Sequence, residues 1–121
     1  MHELSIAEAI VRIADAHAAG RRVVCVEVEI GHLRQVVPSA LEFAFELVAV
    51  GTAVEGAELD VVTVPAEGRC RACATVTVLD GFPLHCAACG GLDLELLRGE
   101  ELRVESLELE ETTMEGVGSG D

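Results

Sequence analysis

Two cysteine pairs, Cys70-Arg-Ala-Cys73 and Cys86-Ala-Ala-Cys89, stand twelve residues apart in this chain. Two residues between thiolates let both sulfurs of a pair reach one ion. A loop of about a dozen residues then carries the second pair back to the same place. Four thiolates at about 2.3 Å from a cation form the tetrahedral site of a zinc ribbon, so zinc is the first reading for Cys70, Cys73, Cys86 and Cys89. Iron in a rubredoxin-like site and a pair of disulfides are the alternatives. Such an iron site usually sits against packed aromatics. This chain has no Trp, no Tyr and three Phe, namely Phe43, Phe45 and Phe82. The first residues contain no basic segment followed by an apolar run, so no secretory signal is expected. Paired cysteines without such a signal fit a reducing cytoplasm and a metal better than disulfides.

The first three residues, Met1-His2-Glu3, offer a second kind of chemistry. Initiator methionine is generally removed only before a small residue, and His2 is large. A retained Met1 presents a free amine beside an imidazole. The amine, the His2 main-chain nitrogen and the His2 ring can close fused five- and six-membered rings on one metal. The Glu3 amide or carboxylate can add a fourth donor. Deprotonated amide nitrogens favour square-planar Ni(II) or Cu(II) over Zn(II). Such binding weakens as acid protonates the imidazole and the amine. The residues alone equally allow His2 to be a polar side chain on a frayed end. His17, His32 and His85 are read as structural or solvated rather than as ligands.

The composition narrows the function further. Twenty-two acids oppose eight bases, all arginine, giving a formal charge of −14 over 121 residues. That surface repels nucleic acid and anionic lipid and suits cations or basic protein faces. The basic stripe and stacking aromatics that would support nucleic-acid binding are missing. No apolar stretch reaches the length of a membrane span. No nucleophile–base pairing, phosphate loop or open metal site with a general base is evident, so an enzyme is not expected.

The elements that must position these groups read as follows. Ser5 and Glu8 form a capping box for a helix from about Ile6 to Ala19, ending at Gly20, with Ile6, Ala9, Ile10, Ile13 and Ala14 on its apolar face. Val23 to Ile30 is a half-exposed strand with Val24, Val26, Val28 and Ile30 on one side; Cys25 within it is read as a buried core thiol. A second helix starts at Pro38-Ser39, with Ser39 and Glu42 again three apart, and closes at Gly51. Leu59 to Val64 is a second strand, parallel to the first if the two are adjacent. Short strands are expected at Thr75–Leu79 and Asp93–Leu97. Leu102 to Leu109 is a third long strand with a bulge near Ser106. The predicted fold is α+β: a small three-stranded sheet covered by two helices, with an inserted four-cysteine zinc-ribbon subdomain. The predicted division is an α/β domain of residues 1–66 and 100–111, a ribbon of 67–99, and a disordered tail of 112–121. An exposed sheet edge leaves monomer and homodimer both open.

These residues together resemble the HypA/HybF family of hydrogenase nickel-incorporation proteins. The resemblance rests on the opening Met1-His2-Glu3-Leu4-Ser5-Ile6-Ala7, the two cysteine pairs, Gly51 to Leu59, and Gly99-Glu100-Glu101-Leu102 leading into an acidic strand. It spans roughly residues 1–110. It implies a cytoplasmic metallochaperone and not an enzyme, with nickel cargo held by Met1, His2 and Glu3 and structural zinc held by the four cysteines. It implies a HypB-type GTPase partner and delivery of nickel to the large subunit of [NiFe]-hydrogenase, and in some members to urease. Family knuckles often read Cys-x-x-Cys-Gly; here Ala74 follows the first pair and Gly90-Gly91 the second. A zinc-ribbon interaction module that never handles nickel is the competing function.

Overall fold

A computed structural model describes residues 2–110. The order of elements is α1 (His2–Ala18), β1 (Val23–Gly31), a single 3-10 turn (His32–Arg34), α2 (Pro38–Ala49), β2 (Glu58–Val64), β3 (Ala66–Cys70), β4 (Val76–Leu79), β5 (Leu94–Arg98) and β6 (Leu102–Leu109). Two three-stranded sheets result, ordered β2-β1-β6 and β4-β3-β5. The second sheet interrupts the first between β2 and β6, so the ribbon is an insertion. The expected tail lies outside the described residues.

In the first sheet β1 is central, parallel to β2 and antiparallel to β6. Val26, Val28 and Ile30 of β1 meet Ile6, Ile10 and Val11 of α1 and Leu41 and Phe45 of α2 in one largely aliphatic core. Cys25 does not belong to that core. The period-two alternation that turns Val26 inward turns Cys25 outward, half-buried on the face away from the helices. Burial pushes its thiol pKa up, and the nearby carboxylates of Glu58, Asp60, Glu108 and Glu27 push in the same direction. Val24 also departs from expectation. The β1–β6 register shifts between Val23 and Cys25, so Val23 enters the core while Val24 stays 44% exposed. A second shift, between Glu27 and Val28, leaves Glu105 unpaired beside Ser106, which is the bulge inferred from the slipped pattern.

The first helix begins at His2, a full turn ahead of the start that Ser5 and Glu8 suggest. Ser5 lies inside it and its hydroxyl donates back to the His2 carbonyl at 3.0 Å, a bond that competes with any capping role. Its buried face includes Ile6, Ala7, Ile10, Val11, Ala14 and Ala18, and Ile13 is 42% exposed. Helix α2 has Val37 as its N-cap residue and Pro38 at its first position, without a side-chain cap from Val37 itself. Pro38 costs nothing there, since its missing N–H would have had no helical partner.

The two sheets join at a crowded crossing. The Gly31 amide donates to the Glu101 carbonyl at 2.8 Å and the Leu33 amide to the Gly99 carbonyl at 2.9 Å. His32 Nε2 lies 2.6 Å from the Asp80 carbonyl, tying the 3-10 turn to the end of β4. A Cβ on Gly31 would land on the Gly99 carbonyl, and one on Gly99, at φ +125°, would lie 2.6 Å from Ala66 Cβ. The chain passes there only because neither residue has a side chain. Gly31→Ala is expected to destabilise the protein by about 3 kcal/mol, as overpacking against rigid main chain does. Thermal unfolding followed by circular dichroism checks this; an unchanged midpoint contradicts it.

Candidate metal centres

The ribbon builds its four-sulfur cluster from two matching turns. At the end of β3 the Ala74 amide donates to the Cys70 carbonyl at 2.8 Å, and the Cys70 amide donates to the Thr75 carbonyl at 2.9 Å. The second turn repeats the pattern: Gly90 amide to Cys86 carbonyl at 2.8 Å, and Cys86 amide to Gly91 carbonyl at 2.8 Å. Each turn closes through a residue in the left-handed region, Ala74 at φ 66° and Gly90 at φ 75°. Ala74 therefore occupies a conformation that favours glycine. Gly91 serves a different need: a Cβ there would crowd Cys89 Sγ at 3.2 Å.

These turns bring the Sγ atoms of Cys70, Cys73, Cys86 and Cys89 within 4.8 Å of one another. Cys70–Cys89 and Cys73–Cys86 are each 3.6 Å apart. A tetrahedron of sulfurs at the zinc–thiolate distance has edges of about 3.8 Å, so the cluster already has the size of a zinc site. All five cysteines are free, which sets aside the disulfide reading. Cys70 and Cys86 are buried; Cys73 and Cys89 are exposed. An all-thiolate donor set without an open position suits a structural zinc, whose role is to hold the fold.

Local donors prepare the sulfurs for that charge. The Cys89 and Ala88 amides bring Cys86 down to about 6 against the opposing effect of burial. Thr75 acts similarly on Cys73: its hydroxyl lies 3.2 Å from the sulfur, and with its amide it lowers the thiol pKa. Cys89 moves the other way. The Gly91 amide pulls it down, but the three neighbouring thiols together push it up to about 11. Four thiols this close do not all ionise without a cation between them to offset the like charges.

The second set of candidate residues sits at the start of the chain. His2 opens α1 with its side chain half exposed, Nε2 lying 3.5 Å from Glu3 Oε2. Glu3 points inward and is only 9% exposed. Its carboxylate accepts the Val37 amide at 3.0 Å, capping α2 from α1. That hydrogen bond is the first cause of its lowered pKa; His2 contributes as a weaker cause in the same direction, and burial opposes both. No local pattern signals this cap, because residues 34 positions apart supply its halves. Met1, the remaining candidate, lies outside the described residues. The other histidines each meet a main-chain carbonyl: His17 that of Ile13, His32 that of Asp80, His85 that of Pro83. Among the described residues the four cysteines are the one group of His, Cys, Asp and Glu close enough to hold an ion.

Residues 1–109 match the family described as hydrogenase/urease nickel incorporation, metallochaperone, HypA. The chain belongs to that family. It is similar to the hydrogenase maturation factor HypA of Geotalea uraniireducens, 47% identical over 110 residues that make up 91% of this chain and all of the relative. The factor of the same name from Nostoc punctiforme is 41% identical over 92% of this chain and 97% of its own length. The solution structure of the nickel metallochaperone HypA from Helicobacter pylori superposes with a TM-score of 0.64 at 26% identity, covering 88% of this chain and 96% of that one. HypA proteins are metallochaperones rather than enzymes, and their work lies with the nickel-insertion machinery. Among the described residues no helix is long and apolar enough to cross a membrane.

Both the knuckle turn and the Glu3 cap can be tested. Ala74→Gly relieves a left-handed alanine, so the zinc-loaded protein should gain roughly 0.5–1 kcal/mol and release zinc more slowly to a chelator; equal or faster release contradicts the strained turn. Glu3 has a depressed folded pKa, so its contribution is present above the ordinary carboxylate range and is lost as pH falls through the folded value. Glu3→Gln should therefore melt below wild type at neutral pH, and the two midpoints should converge in acid. Parallel curves throughout would remove Glu3 from the cap.

Proposed function

We propose that this protein carries Ni(II) at its N-terminus and delivers it during maturation of [NiFe]-hydrogenase, or of urease. The observation that carries the reading is His2, half exposed in the first turn of α1 within a chain whose first residue already falls inside the matched family pattern. The amide of His2 stands where a helix makes no i−4 hydrogen bond, so its nitrogen can be surrendered to a metal without breaking helical structure. The Met1 amine and the His2 imidazole complete the chelate. Glu3 completes the set through its amide or its carboxylate, which also accepts the Val37 amide. The anionic donors among these offset the charge of the ion, which makes a cation acceptable at the positive end of a helix dipole.

Cys70, Cys73, Cys86 and Cys89 hold the resident zinc. The units divide accordingly into a nickel-handling α/β domain of residues 1–66 and 100–111 and a zinc ribbon of residues 67–99. A carrier must let its ion go, and a terminal site built from few donors exchanges ligands one at a time. The acceptor's thiolates replace them stepwise. The partners are a HypB-type GTPase and the hydrogenase large subunit, in the cytoplasm.

Isothermal titration of untagged protein with Ni(II) tests the proposal. Wild type should bind one equivalent. His2→Ala, or a tag placed before Met1, should abolish that binding while zinc content stays near one per chain. Cys73→Ala should do the reverse and lose zinc. Nickel binding by His2→Ala with wild-type affinity and spectrum would leave the protein a zinc-ribbon interaction module.

A further inference from the structure

Helix α2 is apolar on two sides, and only one of them is used. Leu41, Ala44, Phe45 and Ala49 are buried. On the far side stand Ala40, Phe43, Leu47 and Val50, all exposed. Phe43 is 64% exposed, Leu47 58% and Val50 64%. The spacing of three and four residues from Ala40 through Phe43 to Leu47 is that of alternating a and d positions in a heptad, which makes one seam along the helix, and Val50 follows at its C-cap. Isolated surface hydrophobics need no explanation, but an aligned row with one of only three phenylalanines in the chain does.

The seam has an acidic border. At about 100° per residue, Glu42 and Glu46 fall together on one flank of it. With Glu58 they line a cleft of about 220 Å³ between α2 and β2. We propose that this seam is a docking surface for an amphipathic helix of a partner protein, with an apolar stripe for Phe43 and Leu47 and arginine or lysine on the flank that meets these glutamates.

Charge selects this occupant over the two that the chain itself could supply. In an antiparallel two-fold pair of α2 helices each flank meets its own copy, so Glu42 and Glu46 would face the same glutamates of the second molecule. Each copy also carries −14. The C-terminal residues 111–121 contain Glu111, Glu115 and Asp121 and no base, so they are repelled as well. A basic helix gains from the border what an acidic one loses. The surface does not depend on whether nickel binds.

The probe is a three-heptad synthetic peptide with Leu at a and d and Arg at e and g, titrated into the zinc-loaded full chain at low salt; its control carries Glu in place of Arg. The Arg peptide should bind with a Kd on the order of 10 μM and protect the amides of residues 39–50 from hydrogen exchange, while the Glu peptide should bind at least about tenfold more weakly. Leu47→Ser should weaken the Arg peptide by about tenfold or more without changing the far-ultraviolet circular dichroism. Glu42→Arg with Glu46→Arg should invert the preference between the peptides. Absence of Arg-peptide binding, equal binding of both peptides, or protection elsewhere overturns the proposal. So does a wild-type dimer that Leu47→Ser converts to monomer, since the occupant is then a second copy.

Discussion

Four sulfurs must be brought to the corners of one small tetrahedron, and the ribbon has little else to hold it. Outside Cys70 and Cys86, its one buried hydrophobic residue is Leu79, with Ala66 at its border. Val76, Val78, Phe82 and Leu92 are exposed. A sheet of three short strands with so few buried side chains cannot offset the entropy of ordering its chain. The cation therefore acts as the ribbon's core: it relieves the repulsion among the thiolates and cross-links two turns that are otherwise joined by a loop. The ion pair of Arg71 with Asp93 at 2.8 Å braces the same turns from outside, but both partners are exposed and such pairs contribute little.

The helix-covered sheet solves its problem in the usual way, with aliphatic side chains, and this difference explains how the two parts relate. One can be rigid without metal; the other cannot. They meet at Gly31, Gly99 and Ala66, where main chains touch, and through the turn at His32–Arg34. His32 reaches Asp80 of the ribbon, while Arg34 donates to the Glu100 and Glu101 carbonyls just ahead of β6. The ribbon's position is thus set by hydrogen bonds to main-chain carbonyls, which persist through many side-chain changes.

What can be read from the sequence is whatever is local. Cysteine spacing specifies the cluster because each knuckle is a four-residue event and the ligand chemistry tolerates few alternatives. Periodicity marks both helices and all three long strands, and the slipped alternation of Val104 and Leu107 locates the bulge. Strand β3 leaves no such mark, because Ala66-Glu-Gly-Arg-Cys70 carries neither β-branched residues nor alternation; it is a strand because β4 and β5 pair with it on either side. Ser5 and Glu8 misplace the start of α1 because they make a plausible cap, whereas the decisive contact, Glu3 to Val37, is made across the fold. Val23 and Val24 exchange faces for the same reason: the irregularity belongs to the pairing with β6. Nothing local marks Gly31 as the point where two chain segments cross.

Glu3 connects these observations to the proposed cargo site. An N-terminal chelate at the end of an unanchored chain would sample many positions, and an acceptor would have to find it. Here the residue next to His2 is fastened to the N-cap of α2, so His2 stands on a helix whose first turn is held in place from its second residue. That arrangement separates two requirements that conflict within a single site. In the proposed site the anchor would fix where the ion is presented, and the few donors ahead of it would set how readily the ion leaves. The Glu3–Val37 hydrogen bond would leave position to the fold and release to the exposed imidazole of His2, which is the division a carrier of exchangeable metal needs.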